Sequence, residues 1–272
     1  KKSYQERQRL FALPRSSWSN YDASLISKGG GVFSRKAKKI NLTPEIQHLI
    51  DCKEMHLTPN ELIVYLLKAR VDLIWNGGIG TYIKASNETN MAVLDKSNDE
   101  VRINGKQVRA KSIAEGGNLG LTQRGRIEYA QAGGLLYTDS IDNSAGVDCS
   151  DNEVNIKILL SQLVKEGRLN QDKRNILLTE MTDEVAQHCL LNNYRQTQII
   201  DSMVQHAAEN MHQHARFMRH LEREGIMNRK LEYLPNDEEI TARIAQNKGL
   251  TRPELSILLS YSKLTYKNAL LN

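Results

Sequence analysis

Residues 111–139 read KSIAEGGNLGLTQRGRIEYAQAGGLLYTD, and their order of apolar, glycine and capping residues decides the fold class. Ser112 to Glu115 suits a short strand that ends in the small-residue turn Gly116-Gly117-Asn118. Thr122 supplies a helix cap, Gly133-Gly134 a stop, and residues 135–138 a second short strand. Strand, helix and strand within so few residues form a βαβ unit near the minimum length for a right-handed crossover.

Working upstream, PNELIVYLLKAR (59–70) reads as a helix and runs into VDLIWNGGIGTYI (71–83), a buried strand that stops at a tight turn. Thr43-Pro44-Glu45 and Thr58-Pro59-Asn60-Glu61 are two helix starts of the same chemistry, with threonine as cap and proline at the first helical position. Between these units, residues 87–110 form a polar excursion whose Asn104-Gly105 pair suggests a small hairpin. Residues 16–36 are polar, glycine-rich and without periodicity, so the first forty residues read as a loop-rich insertion or linker.

Downstream, Ser150-Asp151-Asn152-Glu153 has the spacing of a capping box, which predicts a helix start there. Beyond it no strand pattern recurs. Residues 183–224 contain neither Gly nor Pro, with Thr182 as a cap and Gly225 as a stop, so one or two long helices are expected, followed by helix starts at 235–239 and 250–254. Leu190, Leu191, Ile199, Ile200, Met203, Phe217 and Leu221 of that region are expected to pack within the chain. The fold class is therefore α/β, with a partial parallel sheet followed by an all-α region. The expected organisation is 1–40 loop-rich, 41–168 α/β and 169–272 helical.

Composition narrows the function. The 272 residues carry a net charge of +5, but the basic residues are scattered and only SRKAKK at 34–39 is a cluster, so nucleic acid is not an expected partner. No apolar run is long enough to span a bilayer, and the first residues lack a signal-peptide pattern, so a cytoplasmic protein is expected. The three cysteines, Cys52, Cys149 and Cys189, are widely spaced without a CxxC pair, which argues against a zinc site. His212 and His214 are two apart and fall on opposite sides of a helix, unlike an i, i+4 metal pair. The acidic stretch 142–153 fails as a calcium loop, because Val147 stands where the sharp-turn glycine is required.

Three turns of small and amide residues remain, each after an expected strand: Asn76-Gly77-Gly78, Glu115-Gly116-Gly117-Asn118 and Asp142-Asn143-Ser144-Ala145-Gly146. Ligands of open parallel sheets bind beyond the carboxyl ends of the strands, so all three are expected on one edge. Glycine lets a flat ligand approach the backbone, and asparagine offers both donor and acceptor. The dinucleotide fingerprint itself is missing, since Gly78-Ile79-Gly80 is followed by Thr81, Tyr82 and Ile83.

IAEGGNLGLTQRGRIEYA (113–130) followed by TDSIDNSAGVDCSDNEVNIKILL (138–160) resembles the nucleotide-binding domain of the glutamate dehydrogenase superfamily. The forms Gly117 and Ser144-Ala145 are closer to its very large bacterial NAD-specific members, as are LPRSSWSNYD (13–22), ISKGGGVFSRKAKKI (26–40), VDLIWNGGIGTYIKAS (71–86) and GLTRPELSILLSYSK (249–263). The resemblance implies the second half of a Rossmann-like domain, NAD as cofactor, and reversible oxidative deamination of L-glutamate to 2-oxoglutarate and ammonia. It places Asn118, with Gly117, beside the nicotinamide ribose and Asn143 at the carboxamide. Asn76 and Gly77 fall where the family has another small pair near the cofactor. Val147 and Ser150 fall in the pocket for the glutamate side chain. The family's catalytic lysine and aspartate precede the matched region, so no catalytic residue is expected here, and the chain reads as a C-terminal piece, inactive alone, of an enzyme expected to be a homo-oligomer. Two other readings stand beside this one: a dehydrogenase of the superfamily acting on a different amino acid, against which the polar Ser150 argues, and a helical interaction or oligomerisation module without catalysis.

Overall fold

The computed structural model describes residues 1–271. It is an α/β chain, mostly helical, with its strands in three small two-stranded sheets. The first, β1 (Ile40–Asn41) against β2 (His56–Leu57), is antiparallel. It packs with the helices α2 (Pro44–Ile50) and α3 (Pro59–Leu67) around Ile40, Leu42, Ile50, Cys52, Leu57 and Leu62. Both helices start as their sequence dictates. Thr43 and Thr58 accept the backbone N–H of Ile46 and Glu61, and Glu61 reaches back to the Thr58 N–H at 2.7 Å.

The parallel sheet that positions the site pairs β3 (Leu73–Asn76) with β6 (Ser112–Glu115), Leu73 opposite Ser112 and Asn76 opposite Glu115. Leu135 extends it by one parallel bridge to Ser112. A second parallel pair, β4 (Ile83–Lys84) with β5 (Ile103–Asn104), is joined to the first through a bridge from Ile83 to Leu121. The helix α5 (Gln123–Gln131), capped by Thr122, covers them, and Ile83, Ile103, Ile113, Leu121, Tyr129 and Leu136 form the core beneath. The βαβ unit expected over 111–139 is thus present, with its last strand reduced to a single bridge.

After α4 (Asn90–Val93) and α6 (Asp139–Asp142), the remainder is helical: α7 (Ser144–Lys165), α8 (Gln171–Glu180), α9 (Thr182–Gln205), α10 (Met211–Arg223), α11 (Asp237–Ala245) and α12 (Arg252–Leu271). Ile200, Met211, Met218, Leu221 and Leu255 are fully buried in one cluster that also takes in Ile141 of α6. Each such side chain contributes about 1.5–3 kcal/mol by leaving water. Tyr137 donates to Asp201 at 2.8 Å, and Arg252 pairs with the same carboxylate, so the chain leaving the sheet is tied directly to α9 and α12.

Several local expectations are corrected. The first forty residues contain a helix, α1 (Lys2–Ala12), that buries only Glu6 and Leu10. Glu6 is held by Arg9 at 2.6 and 2.8 Å and accepts the Asp22 N–H at 2.8 Å, so the helix docks through a polar anchor that leaves no hydrophobic period. Asn104-Gly105 makes no hairpin; it enters a short 3₁₀ turn (105–107), and β4 and β5 run parallel. The expected buried strand at 71–76 has an open face, where Leu73 and Trp75 are exposed. Ser150 starts no helix, because α7 already runs from Ser144 and the Ser-x-x-Glu spacing falls inside it. Thr182 does not cap α9: its hydroxyl donates to the Leu178 carbonyl of the preceding helix. Of the apolar residues expected to pack internally, Ile200 and Leu221 are buried, whereas Leu190, Leu191 and Ile199 are exposed.

Candidate functional site

The carboxyl ends of β3 and β6 lie side by side because the strands are parallel and in register, so their turns interlock. The Asn76 carbonyl accepts both the Gly116 and Gly117 N–H groups, at 2.8 and 3.0 Å. A Cβ at Gly117 would collide with the Gly78 carbonyl, and one at Gly120 with the Asn76 amide. Gly117 is therefore required by close backbone approach, and Gly120 leaves room for the Asn76 side chain. Beyond them, Asn143 at the joint between α6 and α7 donates its Nδ2 to Oδ1 of Asn118 at 2.5 Å. The three turns meet on one edge, as the strand order predicts.

Asn118 owes its position to the next residue. Leu119 sits in the left-handed region at φ 57, which costs a side-chain-bearing residue about 1–2 kcal/mol. Two bonds hold it there: Asp139 accepts its N–H at 2.8 Å, and its carbonyl accepts the Thr81 hydroxyl at 2.7 Å. Beneath the turn is a buried charge network. Arg126 grips Glu115 with two bonds, 2.7 and 2.9 Å, and reaches Asp139 at 3.2 Å. Glu115, wholly inaccessible, also accepts the Leu121 N–H, while its own N–H donates to Asp142 at 2.8 Å.

Burial pushes the Asp142 carboxyl up to about 6, with Glu115 and Asp139 adding repulsion against the opposing pull of its backbone bond and Arg126. Because the folded state holds this proton more tightly than the unfolded chain, it binds more protons between about pH 4 and pH 6, and the stability due to Asp142 falls as pH rises through that window. Asp142→Asn is accordingly expected to be more stable than the parent by about 2 kcal/mol near pH 7.5, with the advantage vanishing near pH 4. Urea unfolding at the two pH values measures it, and a pH-independent difference would remove Asp142 as the titrating group.

Asn118, Asn143 and Val147 line a cleft of about 670 Å³ between α7 and α9. Its far wall carries Asn192 and Arg195 from α9 and Lys263 from α12. Of the residues expected at the site, Asn118, Asn143 and Val147 line the cleft; Asn76, Gly77 and Gly117 stand together at the strand ends next to Asn118 but outside the lining, as does Ser150, exposed one turn beyond Val147. The sequence reading missed the far wall, although residues 192, 195, 196 and 199 recur at helical spacing. Arg126 and the two aspartates were also missed as a network, since no local pattern joins residues eleven or more apart. Among the described residues no group of His, Cys, Asp or Glu is placed to hold a metal, and no helix is long and apolar enough to cross a membrane.

The chain is an α/β protein with a cleft beside the carboxyl ends of its parallel strands, lined by amides, the carboxylates Asp139, Asp148 and Asp151, and the cations Arg195 and Lys263. A model of the catalytic domain of bacterial NAD-glutamate dehydrogenase matches residues 1–203, and the chain belongs to that family. It is 54% identical over 269 residues to the NAD-specific glutamate dehydrogenase of Pseudomonas aeruginosa, 51% identical to that of Halomonas elongata and 49% identical to that of Mycobacterium tuberculosis. Each comparison covers 99% of this chain and 17% of the relative, so the chain spans about a sixth of the length of the proteins it matches.

Proposed function

We propose that this chain forms part of the NAD and glutamate site of an NAD-dependent glutamate dehydrogenase, which converts L-glutamate reversibly to 2-oxoglutarate and ammonia. The observation that carries the reading is the Asn118–Asn143 contact at the mouth of the cleft beside Val147. The residues suit the cofactor: the neutral amides of Asn118 and Asn143 match a carboxamide and ribose hydroxyls. When bound, NAD accepts the hydride. In this reading Asn76, Gly77, Gly117 and Asn118 shape the ribose side, Asn143 orients the carboxamide, and Val147 and Ser150 face the substrate side chain. Asn118, Asn143 and Val147 line the cleft itself, while Asn76, Gly77, Gly117 and Ser150 flank it.

The same reading divides the chain into a linker (1–40), the second half of a Rossmann-like domain (41–168) and a helical domain (169–272), within a cytoplasmic homo-oligomer. Calorimetric titration of the chain with NAD tests it. Binding is expected, and Asn143→Ala is expected to weaken it about tenfold, the worth of one good hydrogen bond. Absence of binding heat, or equal affinity in the variant, would count against the assignment. The exposed apolar residues Val154, Ile158 and Leu159 on α7, with Leu190, Leu191 and Tyr194 on α9, support a second role for the helical region as an assembly surface.

A further inference from the structure

Forty residues apart in sequence, Cys149 on α7 and Cys189 on α9 place their sulfurs 3.3 Å apart, Cys149 donating to Cys189. Both are free thiols; Cys149 is exposed, and Cys189 is buried beneath it. We propose that this pair is a modification site, oxidised by peroxides to a disulfide that staples α7 to α9.

The geometry favours it on three counts. The sulfurs need to close by little more than 1 Å to reach the roughly 2.05 Å of a disulfide bond. Access is asymmetric, since Cys149 is open to a dissolved oxidant while Cys189 is buried, with Asp148 and the Cys149 sulfur beside it. Finally, the third cysteine, Cys52, is buried in the separate core beside Ile50 and Leu57 and cannot compete. The chemistry balances with peroxide as the named oxidant. The Cys149 sulfur attacks one peroxide oxygen, the O–O bond breaks, and sulfenic acid and water form. The Cys189 sulfur then attacks the Cys149 sulfur, the S–O bond breaks, and the hydroxide leaves with the Cys189 proton as a second water. Two thiols are oxidised and one peroxide is reduced to two waters. The bridge would lie outside the cleft lining, beside a second pocket of about 490 Å³ that Cys149 lines together with Leu178 of α8 and Thr182 and Val185 of α9.

The test treats the reduced chain with a small excess of hydrogen peroxide, reads the thermal midpoint, and then blocks remaining thiols with N-ethylmaleimide in denaturant before intact mass and tryptic peptides are measured. The expected product has a single blocked thiol, on Cys52, and a linked Cys149–Cys189 peptide pair. Its midpoint is expected to rise by roughly 5 °C, because the cross-link closes a long loop in the unfolded chain, and dithiothreitol should reverse the change. Cys149→Ser, at an exposed position, should fold normally and show neither link nor shift, while Cys52→Ser should retain both. Recovery of Cys149 as sulfinic acid with Cys189 still blockable, a link involving Cys52, or the same shift in Cys149→Ser would each overturn the proposal.

Discussion

Arg126→Met is expected to lower the unfolding free energy of this chain by about 3–5 kcal/mol, the usual cost of leaving one buried charge without its partner. Glu115 would remain in a wholly inaccessible position with the Leu121 N–H as its one described hydrogen-bond donor. Asp139 would lose the guanidinium at 3.2 Å while still holding the Leu119 N–H. The damage should therefore spread to the turn that carries Asn118. Glu115→Gln combined with Arg126→Met removes both charges and keeps an acceptor for Leu121, so the double variant should recover more than half of the loss. Urea unfolding of the parent, the two single variants and the double variant measures the coupling. A cost below about 1 kcal/mol for Arg126→Met would show that the network is solvated in a way its burial denies.

Gly117→Val is expected to cost about 3 kcal/mol, at the upper end of what inserting a side chain into a packed site costs. The obstruction is the Gly78 carbonyl, a backbone group that cannot swing aside as a flexible side chain would. Either the 76–80 turn retreats or β6 shifts, and both pull Asn118 away from Asn143. The neighbouring glycine supplies the control: a Cβ at Gly78 meets nothing within 4 Å, so Gly78→Ala should change stability by less than about 0.5 kcal/mol. Similar midpoints for Gly117→Val and the parent would mean that the two turns are not interlocked.

Much of this site was legible because its chemistry is local. Threonine before Pro44 and Pro59, Thr122 before α5, and Asn236 before α11 all cap the helices their spacing announces. Three expected parallel strands place their carboxyl ends together, and from that Asn76, Asn118 and Asn143 were expected on one edge. What failed was of another kind. Ser150 to Glu153 has capping-box spacing, but a helix that has already begun at Ser144 has no free N–H groups there for it to satisfy. Helix α1 is fixed by the Glu6 carboxylate taking the Asp22 N–H, a contact sixteen residues away that no periodicity records. The far wall of the cleft depends on how α9 and α12 fold back over α7, which long-range packing decides.

The exposed strand face has a practical meaning for anyone working with the molecule. The chain has two tryptophans, Trp18 in the N-terminal segment and Trp75 on β3. The Trp75 indole lies against Gly77 and Gly116, the two glycines at the strand ends, and is 64% exposed. Nature has thereby mounted a fluorophore on the two strand-end turns. With Trp18 replaced by phenylalanine, the emission of a single indole becomes an optical gauge of the strand-end turns, readable without a label.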